Sequence, residues 1–69
     1  MQYKPTDIGA MIRSTRKTLG VTQSELALTA GTGVRFISDL EQGKASCELG
    51  KTLKVLYTLG IKITFIPPP

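Results

Sequence analysis

The stretch from Thr22 to Gly43 limits what this chain can become more than any other part of it. Thr22-Gln23-Ser24-Glu25 has the form of a capping box. In that motif the Thr22 hydroxyl accepts from the Glu25 amide while the Glu25 carboxylate reaches back to the Thr22 amide. A helix therefore starts there. Leu26, Ala27 and Ala30 give it an apolar side of little bulk, suited to close approach by a neighbouring helix, and Gly31 ends it after about two turns. Past Gly31-Thr32-Gly33 another helix is expected from Val34 to Gln42, with Ile37 and Leu40 pointing inward and Gly43 as its stop.

Periodicity extends the pattern in both directions. After a lead-in over residues 1–5, Pro5-Thr6-Asp7 is a helix-start signal with Thr6 as the expected N-cap. Ile8, Met11, Ile12, Thr15 and Leu19 then line one helical face up to Gly20, with Arg13, Arg16 and Lys17 off or beside that stripe. Ala45-Ser46-Cys47 reads as a linker. Leu49, Leu53, Leu56 and Leu59, with Val55 alongside, mark a last helix stopped by Gly60. The period then changes from helical to alternating: Ile61, Ile63 and Phe65 are interleaved with Lys62 and Thr64 before Ile66 and the tail Pro67-Pro68-Pro69. This predicts one β-strand over 61–66. A lone strand has unpaired backbone groups, so it is expected to pair with its own copy across a two-fold axis; the alternative is a frayed tail packed on its own domain. The expected organisation is a helical unit over 6–60, a dimerising strand over 61–66 and a tail over 67–69.

Size and composition fit that picture. A chain of 69 residues is one domain at most, and so small a domain buries only about 60% of the surface its unfolded form exposes, so dimerisation would add useful stability. Nine Lys and Arg against five Asp and Glu give a net charge of +4, which favours a polyanionic partner without proving one. Cys47 is the single cysteine and there is no histidine, so neither an internal disulfide nor a His-containing metal site or catalytic histidine is available. That inventory argues against an enzyme, and no cofactor or metal is expected. No apolar run approaches the roughly 20 residues of a membrane span and no secretion signal is evident, so no membrane role and a cytoplasmic location are expected.

Thr22-Gln23-x-Glu25-Leu26-Ala27-x-x-Ala30-Gly31, followed by Ile37-Ser38-x-Leu40-Glu41-x-Gly43-Lys44, resembles the helix-turn-helix of the Xre and lambdoid-repressor family. The resemblance implies a mostly α, four-to-five-helix, lambda-repressor-like DNA-binding domain, here with one C-terminal strand. Its second motif helix would lie in the major groove while the first crosses the phosphate backbone. Val34, Arg35, Ser38 and Asp39 then hold the positions that contact base edges in similar proteins. Arg35 suits bidentate donation to guanine O6 and N7, or more plainly a phosphate contact or a solvated charge. Val34 suits a thymine methyl. Asp39 suits a cytosine amino group, or the simpler role of orienting Arg35 or Arg16. Phosphate contacts are expected from Gln23 and the amides at the start of its helix, and from Gly33, Gln42 and Lys44. Arg16 and Glu41 hold positions at which family members place a structural ion pair.

Three positions depart from the common pattern: Thr32 and Gly33 in the turn, and Phe36, which can pack under the turn or stay partly exposed. A looser turn is expected. The whole arrangement is most similar to the HipB-like antitoxins, in Asp7-Ile8-Gly9, Gly31-x-Gly33-Val34-Arg35-Phe36, Leu49, Val55-Leu56 and Leu59-Gly60 before an alternating strand. That likeness implies a homodimeric repressor on a palindromic double-stranded DNA operator of its own operon, paired with a HipA-like serine/threonine kinase toxin. The alternatives are a stand-alone Xre-type repressor and a protein-binding module that has lost DNA contact.

Overall fold

The computed structural model describes residues 3–69, so Met1 and Gln2 of the lead-in lie outside the described residues. Four helices follow in order: α1 (Pro5–Thr18), α2 (Gln23–Ala30), α3 (Val34–Glu41) and α4 (Leu49–Thr58). α3 packs against both α1 and α2, and α4 against α2. Their shared centre is Ile12, Leu26, Ala27, Ala30, Ile37, Leu40, Val55, Leu56 and Leu59, an aliphatic core without an aromatic ring at its heart.

The start of α1 differs from expectation. The N-cap is Lys4, and Pro5 rather than Thr6 opens the helix. Proline lacks an N–H and its ring holds φ at a helical value, so it fits the first helical position, where no partner is needed. Asp7 then accepts from the Lys4 amide at 2.7 Å. The α2 capping box forms as expected: the Glu25 amide donates to Thr22 Oγ1 at 3.1 Å and the Thr22 amide to Glu25 Oε1 at 2.9 Å. Hydrogen bonding from Thr22, its backbone amide first and its side chain second, holds the Glu25 carboxyl below its usual range. Glu48 caps α4, accepting from the amides of Gly50 at 2.9 Å and Lys51 at 2.8 Å.

Only part of each predicted apolar stripe is buried. On α1 the buried line is Gly9, Ile12 and Arg16, whereas Ile8, Met11 and Leu19 remain exposed. On α4 it is Thr52, Val55 and Leu56, with Leu49 and Leu53 exposed. With about 3.6 residues per turn, α1 packed on α3 and α4 packed on α2 can each bury only a narrow strip, and apolar side chains beyond it have nothing to cover them within one chain.

Gly9 explains how closely α1 and α3 approach. A Cβ there would overlap the Leu40 carbonyl oxygen and sit 2.7 Å from that of Glu41. The α2 to α3 turn depends on Gly31, whose φ of 72° puts it in the left-handed region where a side chain is strained.

No strand is formed over 61–66 among the described residues; the segment after α4 carries no regular secondary structure. The reason is physical: a β-strand is stabilised by a ladder with a partner, and the single chain offers none. The segment is tied down only at its start, where the Ile61 amide donates to the Leu56 carbonyl at 2.9 Å and its side chain packs on the core. Beyond it Ile63, Phe65 and Ile66 are exposed. With Ile8 and Met11 they border an open apolar groove of about 1000 Å³. No described helix is long and apolar enough to cross a membrane.

Candidate nucleic-acid interface

The α2–α3 unit is closely packed. Ala27 and Ala30 are buried at the helix crossing, and Ile37 and Leu40 anchor α3 from beneath. Because Ile37 and Leu40 point inward, helical periodicity sends Val34, Arg35, Ser38 and Asp39 to the other side. Val34 and Arg35 are exposed, and Ser38 and Asp39 half-buried. Gly33 is exposed at the N-cap of α3, where its backbone is extended and no side chain caps the helix. Its amide and the first amides of α3 thus face outward without side-chain partners.

Arg16 and Glu41 lock this unit to α1. Arg16 Nε donates to Glu41 Oε2 at 2.6 Å and its Nη2 to Oε1 at 3.0 Å, while Nη1 donates to the Val21 carbonyl at 2.8 Å. The side chains are 10% and 3% exposed, so the fork-on-fork pair is shielded from water. Burial pushes the Glu41 carboxyl up, but hydrogen bonds from Arg16 and Gln23 and the charges of Arg16 and Arg13 outweigh it and leave the group below its ordinary value. The same bond to Glu41 raises Arg16. No buried side-chain polar atom among the described residues lacks a partner.

Three of the residues singled out from sequence make contacts that sequence reasoning missed. Gln23 Nε2 donates to Glu41 Oε1 at 3.1 Å, so this side chain braces the ion pair while its helix start stays exposed. Asp39 pairs with Lys44 at 3.6 Å and with neither Arg35 nor Arg16. Gln42 Nε2 donates to Ser38 Oγ at 3.3 Å, which ties the end of α3 to its outward face. Only the i, i+4 spacing of Ser38 and Gln42 could have been seen beforehand. Phe36 is half-buried against the core, with the Lys51 ammonium 5.9 Å from its ring centre. Lys62 and Thr64, on the exposed C-terminal segment, lie apart from this surface in the wall of the apolar groove.

An exposed helix face, flanked by helix amides and cations and held rigidly by a second helix, can read a groove of a duplex while its neighbours hold phosphates. The comparisons agree with that geometry. A family model described as helix-turn-helix matches residues 12–66. The chain is 52% identical over 64 residues to the uncharacterized HTH-type transcriptional regulator y4mF of Sinorhizobium fredii, covering 93% of this chain and 84% of that protein. Among solved structures, a HipA–HipB–O2–O3 complex contains a chain that superposes with a TM-score of 0.86 at 29% identity, over 100% of this chain and 97% of the other. A HipB variant in complex with an O2 20mer gives the same TM-score at 28% identity, over 100% and 96%. This chain belongs to the Xre-type helix-turn-helix family and is a DNA-binding transcription regulator with the fold of HipB.

Proposed function

We propose that the chain acts as a homodimeric repressor on a palindromic operator of its own operon and serves as the antitoxin of a HipA-type kinase. The observation that carries the DNA part is the outward face of α3. Val34 and Arg35 stand exposed on a helix whose other side is clamped by Ile37, Leu40 and the Arg16–Glu41 pair. In this reading Arg35 reads a guanine edge, Val34 meets a thymine methyl and Ser38 borders the same bases. Asp39 holds Lys44 near the backbone. The amides of Gly33 and of the α2 start, with Gln23, Gln42 and Lys44, set register on phosphates.

The dimer part is supported by the apolar residues that one chain leaves uncovered: Ile63, Phe65 and Ile66 in the C-terminal segment, and Ile8 and Met11 beside it. A second copy pairing through 61–66 would supply the missing ladder and place two α3 helices about one helical turn of DNA apart. The kinase partnership is supported by the HipA–HipB neighbour.

The decisive experiment is a selection of DNA fragments bound by the purified chain, with and without the product of any adjacent kinase-like gene. A palindrome recovered from the upstream region of its own gene, and a stable complex with the kinase, are the expected results. Arg35→Ala should relax preference at one base position; a uniform loss across all sequences would make Arg35 a phosphate contact instead.

A further inference from the structure

The two flanks of α1 differ in chemistry and in what they face. Thr6, Arg13 and Lys17 stand seven and four residues apart, a spacing that puts them in one row along the helix, whereas Ile8, Met11 and Leu19 occupy the other flank. Ile8 and Met11 of the apolar flank border the groove beside the C-terminal segment. The polar flank is fixed next to the end of α3: a Cβ at Gly43 would sit 2.7 Å from Thr6 Cα and 2.8 Å from Thr6 N, and one at Gly9 would be 2.7 Å from the Glu41 carbonyl oxygen. The start of α2 converges on the same place through the Gln23 bond to Glu41. Arg13 and Lys17 therefore lie on the side of α1 nearest both the α2 start and the α3 end, the two places where phosphates are expected. The charge of Arg13 is felt at Glu41, consistent with that proximity.

Neither cation is occupied. Arg13 and Lys17 are exposed and, among the described residues, neither side chain makes a hydrogen bond or ion pair, whereas Arg16 between them spends its donors on Glu41 and Val21. We propose that Arg13 and Lys17 form a second phosphate-gripping row, which extends the DNA footprint from the helix-turn-helix onto α1. This rests on the DNA-binding reading above and adds two residues that the motif does not contain. The contact is to backbone charge, so it strengthens binding to every sequence alike and carries no base preference.

The test is the salt dependence of binding to a fluorescent random-sequence DNA duplex, measured with the full chain. Each lost phosphate contact should flatten the slope of log affinity against log salt by about 0.9, so Arg13→Gln with Lys17→Gln should flatten it by about 1.8. Arg13→Lys with Lys17→Arg should restore the original slope, and thermal melts of both pairs should match the unaltered chain. A slope that the Gln pair leaves unchanged overturns the proposal. A Gln-pair loss that the charge-conserving pair does not restore also overturns it, because the effect would then lie in packing. If the unaltered chain itself binds without salt dependence, the DNA reading falls and the proposal with it.

Discussion

The helix-turn-helix and the C-terminal segment are opposite kinds of structure in one short chain. From Thr22 to Gly43 the cap, the glycine turn, the buried alanines and the Arg16–Glu41–Gln23 cluster are all satisfied within the monomer. From Lys62 onward every residue is exposed, including Ile63, Phe65 and Ile66, and no regular secondary structure forms. The first region makes an exposed helix face that one chain can complete. The second keeps its apolar side chains and backbone groups in water, a state that a partner would relieve. In the proposed function, the geometry needed for recognition is local, whereas the geometry needed to place two reading helices on one duplex comes from assembly.

The largest effect should come from removing the second region. Truncation after Ile61, which keeps the side chain that packs on the core, should leave the four helices folded but monomeric by sedimentation. Operator affinity should fall by about two to three orders of magnitude, because linked half-sites multiply affinity in that range. A truncated protein that still sediments as a dimer and binds unchanged would refute pairing through 61–66.

Changes within the helix-turn-helix unit should show the reverse: lost stability with residues 61–66 unaltered. Arg16→Met should cost about 3 kcal/mol in denaturant unfolding, because Glu41 is left shielded from water without its partner, and adding Glu41→Leu should recover part of that loss. Acid sharpens the same point. The Glu41 carboxyl is held below its ordinary value of 4.5 when folded, so its contribution is complete above that pH and disappears as pH falls through the lower folded value. The double variant, titrated downward from neutral pH, should show a shallower loss of stability than the unaltered chain.

Smaller effects probe how the unit is seated. Gly9→Ala should destabilise by about 2 kcal/mol, since the added methyl meets the carbonyl oxygens of Leu40 and Glu41, and backbone cannot rotate aside as a side chain can. Thr22→Ala removes the α2 cap at an exposed site and should cost about 1 kcal/mol, read as a small drop in melting temperature. Neither change touches 61–66. Dimerisation measured where both variants remain folded should therefore be unaltered, and a loss there would mean that the two regions are coupled.

Local chemistry made much of this protein legible from its residues alone. The α2 capping box, the Gly31 turn and the inward positions Leu26, Ala27, Ala30, Ile37 and Leu40 all follow from interactions within a few residues, which any fold containing them must satisfy. So does the family, because its motif is a sequence of such local requirements. What escaped were choices made between elements. Periodicity marks an apolar face but not how much of it a neighbour will cover, so Ile8, Met11, Leu49 and Leu53 lie on the expected apolar faces and stand exposed. Residue type shows that Gln23 and Asp39 can hydrogen-bond but not with whom. Only the packing of α2 against α3 brings Gln23 to Glu41, and only the path of the chain past Gly43 brings Lys44 to Asp39. The alternation over 61–66 states a preference for extended pairing; with no partner in reach, the single chain leaves that preference unmet. Thr22 to Gly43 was thus determined by sequence because its constraints are short-range, whereas which faces remain uncovered was decided by tertiary structure, because that depends on how the helices pack.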